Sequence, residues 1–176
     1  MKYPYRLTFV APNKYKYDVS ILSNRESQIF DGKQYFKVNK DGSSDIPIQS
    51  LDYLLFFHSL FYGVFANKEN DHFNFEYVGR DTVEGTPTYK LNLMNMANDT
   101  TIVQVNQKNF SILSIEGCPY QPNIRMSVKY RGYELCKGDL LPYKIERMTP
   151  VGPETIYMEK VDFDPVVDES IFIRAK

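Results

Sequence analysis

The sequence predicts a mainly β protein: a single antiparallel, strongly curved sheet of about ten strands, an incomplete barrel, with one apolar helix covering its concave side. Apolar and polar residues alternate along most of the chain, and turn-forming residues interrupt the alternation at short intervals. One long apolar segment, residues 50–66, breaks this pattern. Short connections make neighbouring strands antiparallel, and many twisted strands curl towards a barrel. We therefore expect one domain spanning residues 1–176.

The first strands are predicted to pair as hairpins. Every second residue from Leu7 to Ile21 is apolar, except around Pro12-Asn13, which indicates a turn between two half-buried strands. Asp31-Gly32 predicts a two-residue turn, because such a turn needs positive φ at both central positions. The strands flanking Asp31-Gly32 are Gln28–Phe30 and Tyr35–Val38.

The rest of the sheet is predicted by the same alternation between turn signals. The turns are Glu84-Gly85, Gln107–Asn109, Lys137–Asp139 and Pro150–Pro153. The strands that they separate are Phe73–Tyr77, Tyr89–Leu93, Ile102–Val105, Phe110–Ile115, Arg125–Leu135, Leu141–Met148 and Thr155–Phe163.

The apolar segment over residues 50–66 is predicted to be a helix. Ser50 is a suitable N-cap, and Asp52 lies in the first turn, where the helix dipole favours an anion. Apolar residues surround most of this helix, which indicates burial on two sides. It is either an ordinary core helix or a lid whose second face lines a cavity. It is too short to span a bilayer, which takes about 20 apolar residues.

Composition narrows the possible functions. The 176 residues are 43% hydrophobic and 24% charged, which suits one domain with an ordinary core. The 21 basic and 22 acidic residues are interspersed, so we expect no nucleic-acid partner. The 14 Tyr and 12 Phe suit half-buried sheet faces or apolar cavities. The start of the chain lacks a leader pattern, which leaves a cytosolic protein or a removed leader.

No catalytic constellation is recognisable. His58 and His72 are the only histidines, and neither belongs to a metal-binding motif. The carboxylates near Asp162 and Asp168 are typical of a solvated turn. Cys118 and Cys136 are too far apart in the strand map for a disulfide. We therefore predict no enzymatic activity, no cofactor and no metal.

Five segments carry a resemblance to a known family. Phe9–Tyr17, Asp31–Phe36 and Tyr77–Leu91 follow one another, and Leu140–Ile145 and Val161–Phe172 come near the end. In order and spacing they resemble the LolA/LolB-like superfamily of outer-membrane lipoprotein carriers. The resemblance covers essentially the whole chain, and its motifs are turn residues and strand patterns.

The resemblance implies a half-barrel closed by helices around an apolar cavity that accepts acyl chains. It implies a carrier of lipids or lipoproteins in the periplasm or cell envelope, with a membrane-associated donor or acceptor protein as a further partner, and we expect a monomer. The alternative is an envelope sensor or protein-interaction module with the same fold. A structural β-domain with a filled interior is the third possibility.

A cavity of this kind needs apolar area rather than a motif. Each methylene group removed from water contributes about 0.8 kcal/mol, so Leu and aromatic side chains bind an acyl chain without a polar partner. Any single residue of the set can instead belong to the ordinary core, and alternation leaves open which sheet face is concave. The predicted lining residues are Leu7, Phe9, Tyr15, Tyr17, Leu54, Phe57, Phe61, Phe65, Phe75, Tyr77, Tyr89 and Leu91.

Overall fold

A computed structural model describes residues 3–10, 14–21, 24–47, 73–95, 100–117, 126–149 and 152–174. These ranges contain twelve β-strands and one 3-10 helix, at Glu169–Phe172. None of the helices in the described residues has the length and apolar character needed to cross a membrane. The strands are β1 (Tyr5–Val10), β2 (Lys14–Ile21), β3 (Asn24–Phe30), β4 (Tyr35–Asn39), β5 (Gly42–Asp45), β6 (Phe73–Val83), β7 (Thr86–Asn95), β8 (Thr100–Asn106), β9 (Ile112–Glu116), β10 (Ser127–Cys136), β11 (Asp139–Thr149) and β12 (Gly152–Tyr157).

The strands form two open antiparallel sheets. Sheet 1 has the order β1-β2-β3-β4-β5, and sheet 2 has the order β12-β11-β10-β9-β8-β7-β6. The predicted mainly β, antiparallel class is confirmed. The prediction of a single sheet of about ten strands was wrong, because hairpin pairing stops after β5, where the connection becomes long. The helix predicted over residues 50–66 lies outside the described residues.

The chain divides into two compact units. The first contains Met1–Leu54 and Asp162–Lys176, and the second contains Leu55–Val161. Sheet 1 belongs to the first unit and sheet 2 to the second. The single domain expected over residues 1–176 stays a prediction.

The turn residues act largely as predicted. Glu84-Gly85 and Lys137-Gly138 are two-residue turns with positive φ at both positions, 48° and 83° in the first and 49° and 98° in the second. The two-residue turn expected at Asp31-Gly32 was wrong, since Phe30 pairs with Tyr35 and leaves a four-residue loop. In this loop the Asp31 side chain accepts hydrogen bonds from the backbone N–H groups that follow it, which favours the longer turn.

One face of sheet 1 packs against the segment around the 3-10 helix. Phe172 is 2% exposed and packs in a cluster with Ile29 and Phe36, while Asp168 caps the helix by accepting a hydrogen bond from the Ser170 N–H. That bond holds the pKa of the Asp168 carboxyl below its usual value. The partly buried residues that complete the cluster are Val10, Val38, Val167 and Ile171.

Sheet 2 has one apolar and one polar face. Cross-strand register places Leu91, Val103, Ile115 and Val128 in one row across four strands, and directly paired residues share a face. The last three of these side chains are fully buried. On the opposite face the buried Ser114 donates a hydrogen bond to the buried Gln104, and Gln104 donates one to the exposed Asp81. The two faces therefore have different chemistry.

Candidate functional site

Four predicted lining residues share one face of sheet 1. Leu7 pairs with Tyr17 and Phe9 pairs with Tyr15, so alternation placed them correctly together. The Tyr5 ring lies on the same face, 5.6 Å from the Tyr17 ring between centroids. Tyr15 is buried and the others are half-buried. This face offers a continuous surface of aromatic and aliphatic carbon.

The other four described members share the apolar face of sheet 2. Tyr77 pairs with Leu91 and Phe75 with Leu93, and the Tyr77 and Tyr89 rings are 6.1 Å apart between centroids. Phe75 is 48% exposed and Tyr77 is 58% exposed, because β6 is the last strand of the sheet. Tyr89 and Leu91, one strand further in, are half-buried.

Several buried residues on this face were missed as lining candidates. They lie on the face that carries Leu91, and the same alternation that identified their strands also gives their face. The missed residues are Leu93, Val103, Ile115, Val128, Tyr130 and Ile145. The predicted helix residues Leu54, Phe57, Phe61 and Phe65 lie outside the described residues.

A polar chain lies beside the apolar residues of sheet 1. Register places Gln28 opposite Tyr17 and Glu26 opposite Val19, on the face that carries Leu7. The Tyr35 hydroxyl donates to Gln28 at 2.6 Å, and the Gln28 amide donates to Glu26 at 3.0 Å. Burial, assisted by the nearby Glu26 carboxylate, raises the pKa of Tyr35, which keeps it a neutral donor. This face of sheet 1 thus carries apolar side chains on β1 and β2 and hydrogen-bonding groups on β3 and β4.

Sheet 2 also carries a charged cleft of about 230 Å³ on its polar side. Arg131 donates to both carboxylate oxygens of Glu84, and the Lys129 ammonium lies 3.2 Å from the same carboxylate. The cleft is smaller than the roughly 300–1,000 Å³ of typical ligand pockets, and its charged walls do not suit an acyl chain. Its lining residues are Val83, Glu84, Thr86, Leu113, Lys129, Tyr130, Arg131, Gly132 and Tyr133.

The carboxyl of Glu84 should titrate far below its usual range. Hydrogen bonds from Arg131 and then Lys129 lower its pKa from 4.5 to about 2. Because the pKa is lowered in the folded state, these bonds stabilise the folded protein above pH 4.5, and this contribution is lost as the pH falls from 4.5 towards 2. We expect an NMR titration of the Glu84 carboxyl to give a midpoint near 2 and to shift upwards in Arg131→Gln. An unchanged midpoint in this variant would contradict the ion pair.

The described residues contain no group of three or more His, Cys, Asp or Glu side chains placed to hold a metal ion. Cys136 has a free thiol, and Cys118 lies outside the described ranges, as do both histidines.

No known family model and no curated protein matches this chain. Solved structures do match it over 97% of its length. One is a DUF1329 family protein from Desulfovibrio piger, with 8% identity, 81% of that chain covered and a TM-score of 0.67. Another is a domain from Vibrio parahaemolyticus named for outer membrane lipoprotein sorting, with 9% identity, 80% covered and a TM-score of 0.67. A LolA superfamily protein from Nitrosomonas europaea matches at 11% identity, 87% coverage and a TM-score of 0.47.

The chain shares the fold of the first two proteins. The resemblance found in the sequence is thereby confirmed at the level of the fold, since one of them is a domain named for lipoprotein sorting. The TM-scores of 0.67 establish the shared fold, but sequence identities of 8% and 9% are too low to transfer an activity to this chain. Any function must therefore be argued from the surfaces of this chain.

Proposed function

We propose that this protein binds and carries the acyl chains of lipids or lipoproteins in the periplasm or cell envelope, without catalysing a reaction. The observation that carries the proposal is the grouping of the predicted lining residues. Leu7, Phe9, Tyr15 and Tyr17 share one face of sheet 1. Phe75, Tyr77, Tyr89 and Leu91 likewise share one face of sheet 2. Further support comes from the fold shared with a domain named for lipoprotein sorting.

Binding is driven by removing hydrocarbon from water. Because each methylene group contributes about 0.8 kcal/mol, an extended apolar face holds an acyl chain with little regard for its head group. Phe75 and Tyr77 stand at the exposed rim of the site, while Leu91 lies further in. The predicted helix over residues 50–66 covers the bound chain and moves to release it to a membrane-associated acceptor. The carrier acts as one domain and as a monomer.

A second candidate function is recognition of a protein partner in the cell envelope. It is favoured by β6, the last strand of sheet 2, where Phe75, Tyr77 and Val78 are each about half exposed. An exposed apolar edge strand is a common site for pairing with another chain. A bulge between Tyr77 and Gly79 shortens the regular part of this edge. The first proposal is preferred because it also accounts for the grouped residues of sheet 1.

Native mass spectrometry of the purified protein, followed by lipid extraction, tests the proposal. We expect one acyl-bearing lipid or lipopeptide per chain. A preparation free of lipid that also fails to bind an acyl probe would overturn it. A protein captured by crosslinking, with no lipid present, would support the second candidate.

The proposed cover is tested by Phe57→Asp and Phe61→Asp. We expect each variant to lose acyl-probe binding while the far-ultraviolet circular dichroism of the sheets is kept, because a carboxylate cannot be buried against hydrocarbon. Ser59→Asp, on the predicted helix but outside the lining set, serves as the control. If the sheets unfold in the Phe57 and Phe61 variants, this segment is core rather than cover.

A further inference from the structure

An aromatic patch lies at one end of sheet 2, on the side of β6. We define the patch as Tyr77, Tyr89 and Phe110. The Phe110 ring stacks on Tyr89 with centroids 6.4 Å apart and planes inclined by 16°, and Tyr89 meets Tyr77 edge to face. The Phe110 side chain is 70% exposed and the Tyr77 side chain is 58% exposed. The patch thus presents stacked rings to solvent.

The backbone at Phe110 is unfavourable for this residue. Phe110 has a φ of 59° in the four-residue turn that joins β8 to β9, closed by the hydrogen bond between the Asn106 N–H and the Ser111 carbonyl. This position in a hairpin turn normally holds Gly or Asn, and a bulky side chain there costs about 1–2 kcal/mol. Because most of the Phe110 side chain is exposed, its burial offsets little of the free-energy cost of the positive φ. A strained, exposed aromatic side chain points to a role outside folding.

The charges around the patch have one sign. Arg80 pairs with Tyr89 on the patch side of the sheet, and Lys108 lies in the same turn as Phe110; both are exposed. The nearest acidic residues of β6, Glu76 and Asp81, lie on the opposite face, where Asn92 and Gln104 donate to them. The patch side of β6, β7 and the turn therefore carries no carboxylate among the described residues. The exposed rings of the patch, together with Arg80 and Lys108, therefore suit a partner whose surface is both apolar and negatively charged.

We propose that the aromatic patch docks the protein onto the surface of an anionic lipid bilayer. Phe110 enters the boundary between head groups and acyl chains, while the Tyr77 and Tyr89 hydroxyls stay among the head groups. Arg80 and Lys108 pair with lipid phosphates, which gives a preference for anionic lipid and a dependence on salt. The patch shares Tyr77 and Tyr89 with the proposed acyl site, whereas Phe110, Arg80 and Lys108 do not belong to that site, so substitutions at these three positions test docking separately from acyl binding.

Flotation with lipid vesicles tests the docking surface. We expect the wild-type protein to float with vesicles of phosphatidylcholine and phosphatidylglycerol, and less with phosphatidylcholine alone. Phe110→Asn should weaken partitioning about tenfold or more, because it removes one large apolar side chain. Asn accepts positive φ, so the variant should keep its thermal stability. Arg80→Gln combined with Lys108→Gln should abolish the preference for phosphatidylglycerol.

Matched variants separate docking from general effects. Phe110→Tyr should keep docking, and so should Tyr157→Ser, which removes an exposed ring from β12 at the opposite edge of sheet 2. Phe110→Asn should also keep acyl-probe binding, so failure of docking and failure of the carrier function are distinguishable. Wild-type protein that floats with neither vesicle, or a Phe110→Asn variant that floats like wild type, overturns the proposal. A concentration-dependent dimer lost in Phe110→Asn would instead assign the patch to a second copy.

Discussion

Phe172→Ala is expected to lower the free energy of unfolding by about 3–5 kcal/mol, enough to unfold many domains of ordinary stability. The ring is 2% exposed and packs with Ile29 and Phe36, so truncation removes its burial and leaves a cavity. The loss should appear as a lower midpoint in urea unfolding with an unchanged slope. Circular dichroism at high denaturant supplies the unfolded baseline.

The neighbouring residue provides a matched control. Ile173 is 71% exposed, so Ile173→Ala should change the unfolding free energy by only about 0.5 kcal/mol. Two ion pairs, Lys14 with Glu169 and Arg174 with Asp45, also join this segment to sheet 1. Such exposed pairs contribute little, about 0–1 kcal/mol each. If Phe172→Ala costs less than Ile173→Ala, the segment is not packed on sheet 1 in solution.

Leu7→Asp is expected to weaken acyl-probe binding about a hundredfold while the protein stays folded. Leu7 lies on the apolar face beside Tyr17, and an ionised carboxylate there must be desolvated when hydrocarbon covers it. As a half-buried residue on the edge strand β1, it can turn a new carboxylate towards water in the unliganded protein. Binding is measured by titration of a fluorescent fatty acid, and folding by the unfolding midpoint.

Thr8→Asp adds the same charge to the opposite face of the same strand. Thr8 pairs with Lys16, which can accept a carboxylate as neighbour, so this variant should bind the probe like wild type. Equal losses in Leu7→Asp and Thr8→Asp would show that charge on β1 acts without regard to face, and the apolar face of sheet 1 would then not be the binding surface.

Much of the strand pattern was predictable because alternation is a geometric property of a strand. It correctly placed Leu7 with Tyr17 and Phe75 with Leu91 on shared faces, since side chains two residues apart always point the same way. It did not find β5, whose sequence is Gly-Ser-Ser-Asp and carries no apolar signal. It also could not show that sheet 1 ends at β5, because strand order is a property of the whole sheet.

The burial of individual residues was not predictable from the sequence. Phe75 and Leu91 look alike in the pattern, yet one is exposed on the last strand and the other lies a strand further in. Strand order, which decides this, is a property of the whole sheet. The bridge from Glu84 to Arg131 was hidden for the same reason, because it joins a turn after β6 to β10. No local pattern records such a contact.

The placement of Phe172 has a consequence for how the protein is made. Sheet 2 is built from successive hairpins and can assemble while the ribosome is still adding residues. Sheet 1 is translated before sheet 2, but its Ile29 and Phe36 surface receives Phe172 only after the whole of sheet 2 has been translated. During that interval the nascent chain displays an uncovered hydrophobic surface, which is the kind of feature that chaperones recognise. Of the two sheets, the one translated first is thus the later to be completed.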